Sequence, residues 1–142
     1  MRTKLTIYYA LILLCISCNT ATNKELCPRL QISENKRFLV TETGDPFFWL
    51  GDTGWLLFTK LTREETEKYL EDRRQKGFNV IQVMVLHSII NAVNVYGDTA
   101  LVDNMIDRPL VTPGNSFNDT VEYDFWDHID YVIDLAGKKG LY

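Results

Sequence analysis

The chain has 142 residues, of which 46% are hydrophobic, 12% aromatic and 24% charged. These ordinary globular proportions exclude a fibrous or disordered body. A net charge of −4 argues against a nucleic-acid partner, because polyanion binders present basic patches.

The first residues have the form of a targeting signal. Arg2 and Lys4 make a positive start, and Leu5 to Ile16 make an apolar core. That core is too short to span a bilayer as a stable helix but suits a signal peptide. Ser17 before Cys18 resembles the lipobox of bacterial lipoproteins. The expected organisation is a signal peptide over 1–17, a polar tether over 18–29 and a folded domain over 30–142. With Cys18 lipidated, the chain is held at a membrane by its lipid anchor in the bacterial cell envelope. The alternative is a secreted protein cut near Ala21. Cys27 is then the last thiol, so no internal disulfide framework is expected. No metal-ligand spacing occurs and no cofactor is implied.

Leu30 to Ser33 and Arg37 to Thr41 are expected as short strands joined by a turn at Glu34 to Lys36. A second turn at Thr43 to Pro46 has glycine for positive φ and proline to close it. Phe47 to Leu50 follows as a buried apolar strand, broken by Gly51 to Gly54. Asp52 or Thr53 could cap a short helix here. Equally, Asp52 could enter a pocket at the strand's carboxyl end.

Thr62 and Glu65 form a capping box, and Gly77 is the expected stop of the helix between them. Tyr69, Leu70 and the stem of Arg73 are its expected buried stripe. From Asn79 to Leu86, six of eight residues are apolar in a run. That pattern predicts a strand covered on both faces, delivering His87 to its carboxyl end. His87 to Tyr123 has little periodicity and predicts a long binding loop. Glu122 to Lys139 is the next helix, with Phe125, Ile129, Val132, Ile133 and Ala136 facing the sheet. His128 in its first turns has the position of a structural histidine. Leu141 and Tyr142 should open a third strand.

The alternation predicts a parallel α/β architecture, either a small open sheet or the front part of a barrel of about 250 residues. Sites in such folds form at the carboxyl ends of the strands. Asp52 and His87 occupy that position, although His87 could instead be structural. Asn94 and Tyr96 suit sugar recognition, or they organise the loop. No nucleophile motif occurs, and no carboxylate pair stands out for glycoside hydrolysis.

Five ordered blocks carry a family resemblance. They are Phe47-Phe48-Trp49-Leu50-Gly51-Asp52-Thr53-Gly54-Trp55, Leu61-Thr62-Arg63-Glu64-Glu65, Lys76-Gly77-Phe78-Asn79-Val80-Ile81-Gln82, Asn94-Val95-Tyr96-Gly97 and Tyr123-Asp124-Phe125-Trp126-Asp127-His128-Ile129-Asp130. Together they resemble the apiosidase-like glycoside hydrolases. The resemblance implies the N-terminal part of a (β/α)8 TIM barrel, preceded by a short antiparallel β-hairpin and stopping at the start of the third strand. It further implies a retaining glycosidase of plant pectic glycans, with a pectic oligosaccharide as substrate. The family's acid/base and nucleophile belong to later strands, so no catalytic residue is carried over. Asp52, Trp55, His87, Asn94 and Tyr96 are the implied substrate-side wall. A non-catalytic glycan-binding lipoprotein is the alternative.

Overall fold

A computed structural model describes residues 27–142. The proposed signal peptide and Cys18 lie outside the described residues.

The chain opens with a three-stranded antiparallel sheet in the order β1 (Leu30–Ile32), β2 (Leu39–Thr41), β3 (Pro46–Phe47). Leu30 faces Thr41 and Ile32 faces Leu39 across the first pair. Ser33 closes the turn: its hydroxyl accepts from the amides of Arg37 and Phe38 at 3.3 and 3.2 Å. Gly44 makes the second turn with φ +88°, a conformation costly for other residues.

The strand expected at Phe47 to Leu50 is not formed as such. Phe47 ends the antiparallel sheet, and the strand of the second sheet is β4 (Gly51–Thr53), placed where a break was expected. Phe48, Trp49 and Leu50 between them are exposed rather than buried. Their backbone is satisfied by the Asn79 side chain, which accepts from Leu50 N at 2.8 Å and donates to the Phe48 carbonyl at 2.6 Å. A crossing segment held by one carboxamide needs no ladder of its own.

After β4 come a short helix α1 (Leu57–Lys60) and the long helix α2 (Arg63–Gln75), then β5 (Val80–Gln82), parallel to β4. The capping box is present in full: the Thr62 hydroxyl accepts from Glu65 N at 3.2 Å, and Thr62 N donates to the Glu65 carboxylate at 2.9 Å. Gly77 ends the helix with φ +83°. Neither Asp52 nor Thr53 caps α1, whose N-cap is Leu56 with no side-chain hydrogen bond. Asp52 is instead drawn to α2, as described below.

The run from Asn79 to Leu86 gives a much shorter strand than expected. Only Val80 to Gln82 joins the ladder, and Met84 and Val85 are exposed. Tyr142 lies along the other edge of β5: its amide donates to Asn79 O at 3.0 Å, and its carbonyl accepts from Ile81 N at 2.8 Å. That slanted pair of bonds is the parallel pattern, so a third parallel segment stands where Leu141 and Tyr142 were expected to begin one.

Helix α3 (Phe125–Lys138) carries a second capping box, with Asp124 accepting from Trp126 N and Asp127 N at 2.7 and 2.9 Å. Phe125, Ile129, Val132 and His128 are buried. The three apolar ones meet Leu57, Phe58, Leu70 and Leu141, with Ala92, Ala100 and Leu101 from the long connection, in one core. Ile133, expected in the core, points to solvent at 57% exposure. It is one residue beyond Val132, about 100° further round the helix.

Leu70 is 0% exposed at the centre of this core. Leu70→Ala should cost about 2–5 kcal/mol, since a buried leucine leaves a cavity. Ile133→Ala should cost no more than about 0.5 kcal/mol, as surface changes do. Urea unfolding followed by circular dichroism checks both; equal losses would contradict the placement of either side chain.

Candidate functional site

Parallel pairing sets which side chains can meet a ligand. Gly51 faces Val80, Asp52 faces Ile81 and Thr53 faces Gln82, and laterally paired residues share a face of the sheet. Ile81 and Val83 pack toward the core under the helices. Thr53 and Gln82 therefore point to the opposite face, where both are exposed.

Asp52 lies on the helix side. The Tyr69 hydroxyl donates to its Oδ2 at 2.8 Å, and Arg73 Nε sits 3.0 Å from the same atom, off the hydrogen-bond axis. Burial, followed by the acceptor Asp52, pushes the Tyr69 phenol up to about 12. Asp52 thus ties β4 to α2. Gly54 follows from the same contact, since a Cβ there would come within 3.0 Å of the Tyr69 hydroxyl.

Trp55, just beyond β4, is 59% exposed, and its carbonyl accepts from Met84 N at 3.4 Å. His87 lies five residues past Gln82, on the connection rather than at the strand end. It lines a cleft of about 320 Å³ with Leu56, Lys60, Asn91, Ala92 and Val93. The imidazole has no hydrogen-bond partner among the described residues.

Asn94 is 5% exposed, and both ends of its carboxamide are engaged. Its Oδ1 accepts from the amides of Tyr96 and Asp98, each at 3.0 Å, while Nδ2 donates to Asp98 Oδ2 at 2.8 Å. This is a local side-chain turn of the kind asparagine favours. The Tyr96 hydroxyl accepts from Arg63 N at 2.8 Å, satisfying one of the free amides of the first turn of α2. Its ring meets Phe117, Tyr123 and His128 edge-on, with centroids 5.2–6.2 Å away.

Arg63 is the pivot of that cluster. Its guanidinium lies 4.5, 4.5 and 4.0 Å from the ring centres of Phe117, Tyr123 and Tyr131, and Nε donates to the Tyr123 hydroxyl at 3.0 Å. Cation–π contact on several rings joins α2, α3 and the long connection. Asp124 adds an anchor by accepting from Thr112 N at 2.6 Å. The connection from His87 to Tyr123 is therefore built on its own hydrogen bonds. Two bridges, Val93 with Thr99 and Leu101 with Pro109, add to them.

Sequence reasoning did not single out Thr53, Gln82, Lys60 or Arg63 as site residues, and it placed Asn91 only within the long binding loop. Strict alternation along Gly51 to Thr53, starting from Asp52 on the helix side, identifies the first two. Nothing local marks the others, because each acquires its neighbours through chain segments distant in sequence. Among the described residues, no three acidic, histidine or cysteine groups converge as a metal site. Asp127, Asp130 and Asp134 line a second cavity of about 390 Å³ with Arg63 and Tyr131. Desolvation raises the Asp127 pKa against the hydrogen bond from the Asp124 amide, which lowers it, but Asp127, Asp130 and Asp134 all project from one helix.

The family model described as the apiosidase-like catalytic domain matches residues 33–142. A solved structure titled a glycoside hydrolase is 44% identical, with a TM-score of 0.66 over 81% of this chain and 24% of its own. A glycoside hydrolase of family 5 from Bacteroides vulgatus ATCC 8482 is 38% identical, again with a TM-score of 0.66, over 80% of this chain and 23% of its own. The chain thus spans about a quarter of the length of these solved structures. No curated protein matches it.

His128 is fully buried, and Tyr123 Oη lies 3.1 Å from its Nδ1, while Nε2 faces the Leu61 carbonyl outside full hydrogen-bond geometry. Burial lowers its pKa below the usual 6.5, and the nearby Arg63 charge acts in the same direction. In the unfolded chain the imidazole takes up its proton near 6.5, earlier than in the fold, so stability falls as pH drops below that value. His128→Gln should flatten this part of a melting-temperature profile between about pH 7 and 5. An unchanged slope would show that other groups govern it.

Proposed function

The chain belongs to the apiosidase-like family of glycoside hydrolases, and on that premise we propose that it forms the opening part of a (β/α)8 barrel. The barrel would be that of a retaining glycosidase acting on plant pectic glycans. The observation that carries this reading is the order of parallel segments. β4, β5 and Tyr142 lie side by side in chain order, with α1 and α2 bridging the first pair and α3 preceding the last segment. A barrel is wound from consecutive units of this kind.

In this reading the chain supplies one wall of the substrate mouth rather than the reacting groups. Glycoside hydrolysis needs two carboxylates flanking the scissile bond, about 5–9.5 Å apart. Asp52 is engaged by Tyr69 and Arg73 on the helix side, and Asp127, Asp130 and Asp134 share one helix. Trp55, just beyond β4, and His87, on the connection after β5, face open space, whereas Asn94 and Tyr96 hold the connection that shapes the mouth. Acid/base and nucleophile are assigned to strands outside residues 1–142.

The proposal extends to the envelope: Cys18 carries a lipid anchor that keeps the domain at a bacterial membrane. Labelling with radioactive palmitate should mark the chain, and Cys18→Ala should abolish the label. Equal labelling of the variant would remove the anchor from the proposal.

The chain purified in mild detergent should release no sugar from a pectic oligosaccharide while binding it weakly, in the millimolar range typical of a single wall, about −4 kcal/mol. Turnover above a blank would overturn the division of roles, and absence of any binding would overturn the glycan reading. Dissociation constants near micromolar would favour the second reading, a non-catalytic glycan-binding lipoprotein. The lack of a flanking carboxylate pair among the described residues supports that alternative.

A further inference from the structure

We propose that His128 and Arg63 form a proton-operated switch of the long connection. With His128 neutral, Arg63 is locked among the aromatic rings. With His128 protonated, Arg63 swings into the acidic cavity beside α3 and the connection loosens. The switch lies within the fold and does not depend on the glycan reading.

Hydrogen-bond polarity fixes the latched state. Arg63 Nε donates to Tyr123 Oη at 3.0 Å, and the same oxygen lies 3.1 Å from His128 Nδ1. Tyr123 is buried, and among the described residues its hydroxyl has no acceptor other than Nδ1. The phenol proton therefore points at a bare Nδ1, which leaves the imidazole proton on Nε2. That end faces the Leu61 carbonyl, a group that only accepts. Both ends of the ring thus select the same neutral tautomer.

A second proton breaks this relay. Arg63 and His128 would then both donate to one phenol oxygen, with His128 fully buried and its new charge out of reach of water. Asp98, from the connection, is the acid that favours that charge, but it is already bonded to Asn94 at 2.8 Å. Tyr96 meets the ring edge-on from the same side, and on the ring's own helix Asp124 and Asp127 serve the capping box. Arg63 keeps its charge at any pH, so one cation must leave, and the ring is fixed on α3. A destination for Arg63 lies alongside. Asp127 and Asp130 line the cavity of about 390 Å³ that Arg63 also lines. Neither has an ion-pair partner among the described residues, whereas Asp134 is paired with Lys138. In moving, the guanidinium gives up Phe117 and Tyr123, two rings by which the connection is held to α2. The latched state holds the imidazole below its usual 6.5, so neutral pH favours the latch and acid favours release.

The test uses the full chain in mild detergent, isotope-labelled at its histidine nitrogens, with His87→Asn to tell the two imidazoles apart. Near neutral pH, NMR should find a bare Nδ1 and a protonated Nε2 on His128; the opposite tautomer would overturn the relay. Hydrogen exchange, corrected for its intrinsic pH dependence, then follows residues 94–123. Their protection should fall about tenfold between about pH 7 and 5, the scale set by one linked proton, while α3 keeps its own. Unchanged protection, or an equal loss in α3, would overturn the switch. His128→Gln should abolish the pH step. Arg63→Met, which decides the matter if that variant fails to fold, should leave the connection exchanging fast and alike at both pH values. A pH step that survives in either variant would overturn the switch. Asp130→Asn should move release to lower pH; an unmoved transition would overturn the acidic cavity as the destination of Arg63.

Discussion

The parallel pairing of Gly51–Thr53 with Val80–Gln82 is the constraint on which the rest of the chain depends. A strand shows its side chains alternately to two faces, so one register assigns every neighbouring side chain at once. With Asp52 and Ile81 turned toward the helices, Thr53 and Gln82 must face away. The Asp52 contacts with Tyr69 and Arg73 then bind that register to α2. A slip of one residue would bring Asp52 to the open face and send Thr53 against the helix. The ion pair and hydrogen bond therefore act on specificity of arrangement more than on net stability, since partly exposed pairs contribute little.

A second set of contacts turns the long connection into a scaffold. Arg63 occupies the first position of α2, where its backbone amide needs a partner from outside the helix. Tyr96 supplies that partner, and the guanidinium collects Phe117, Tyr123 and Tyr131. Asn94 and Asp124 fix the same connection by accepting backbone amides. Residues with the chemistry of sugar recognition are thus largely consumed in shaping the rim. Among the described residues, the side chains of His87, Lys60 and Asn91 have no hydrogen-bond or ion-pair partner, and they line one cleft beside α1.

The parts of the fold legible in the sequence were those with local causes. Thr62 with Glu65; Phe125, Ile129 and Val132 at helical spacing; and Gly44 and Gly77 at positive φ each act within a few residues. The hairpin and both long helices accordingly stand close to where they were read. The strands were less legible. Phe47 to Leu50 and Asn79 to Leu86 are apolar runs, and such a run reports burial somewhere rather than membership of a particular ladder. Asn79 decides the first case with a carboxamide reaching residues 48 and 50. The second run leaves the ladder after Gln82, so its last residues and His87 belong to the connection.

What the sequence determined by itself, then, is the order and type of the elements and the family to which they belong. Capping, turn chemistry and helical periodicity are properties of adjacent residues. Only the tertiary structure decided what each polar candidate does, because that depends on partners brought in from far along the chain. Asp52 is engaged by a helix 17 residues later, and Tyr96 by an amide 33 residues earlier. His87 and Lys60 line one cleft only because the segment after β5 lies beside α1. Long-range packing alone separates a side chain already satisfied from one still open to a ligand.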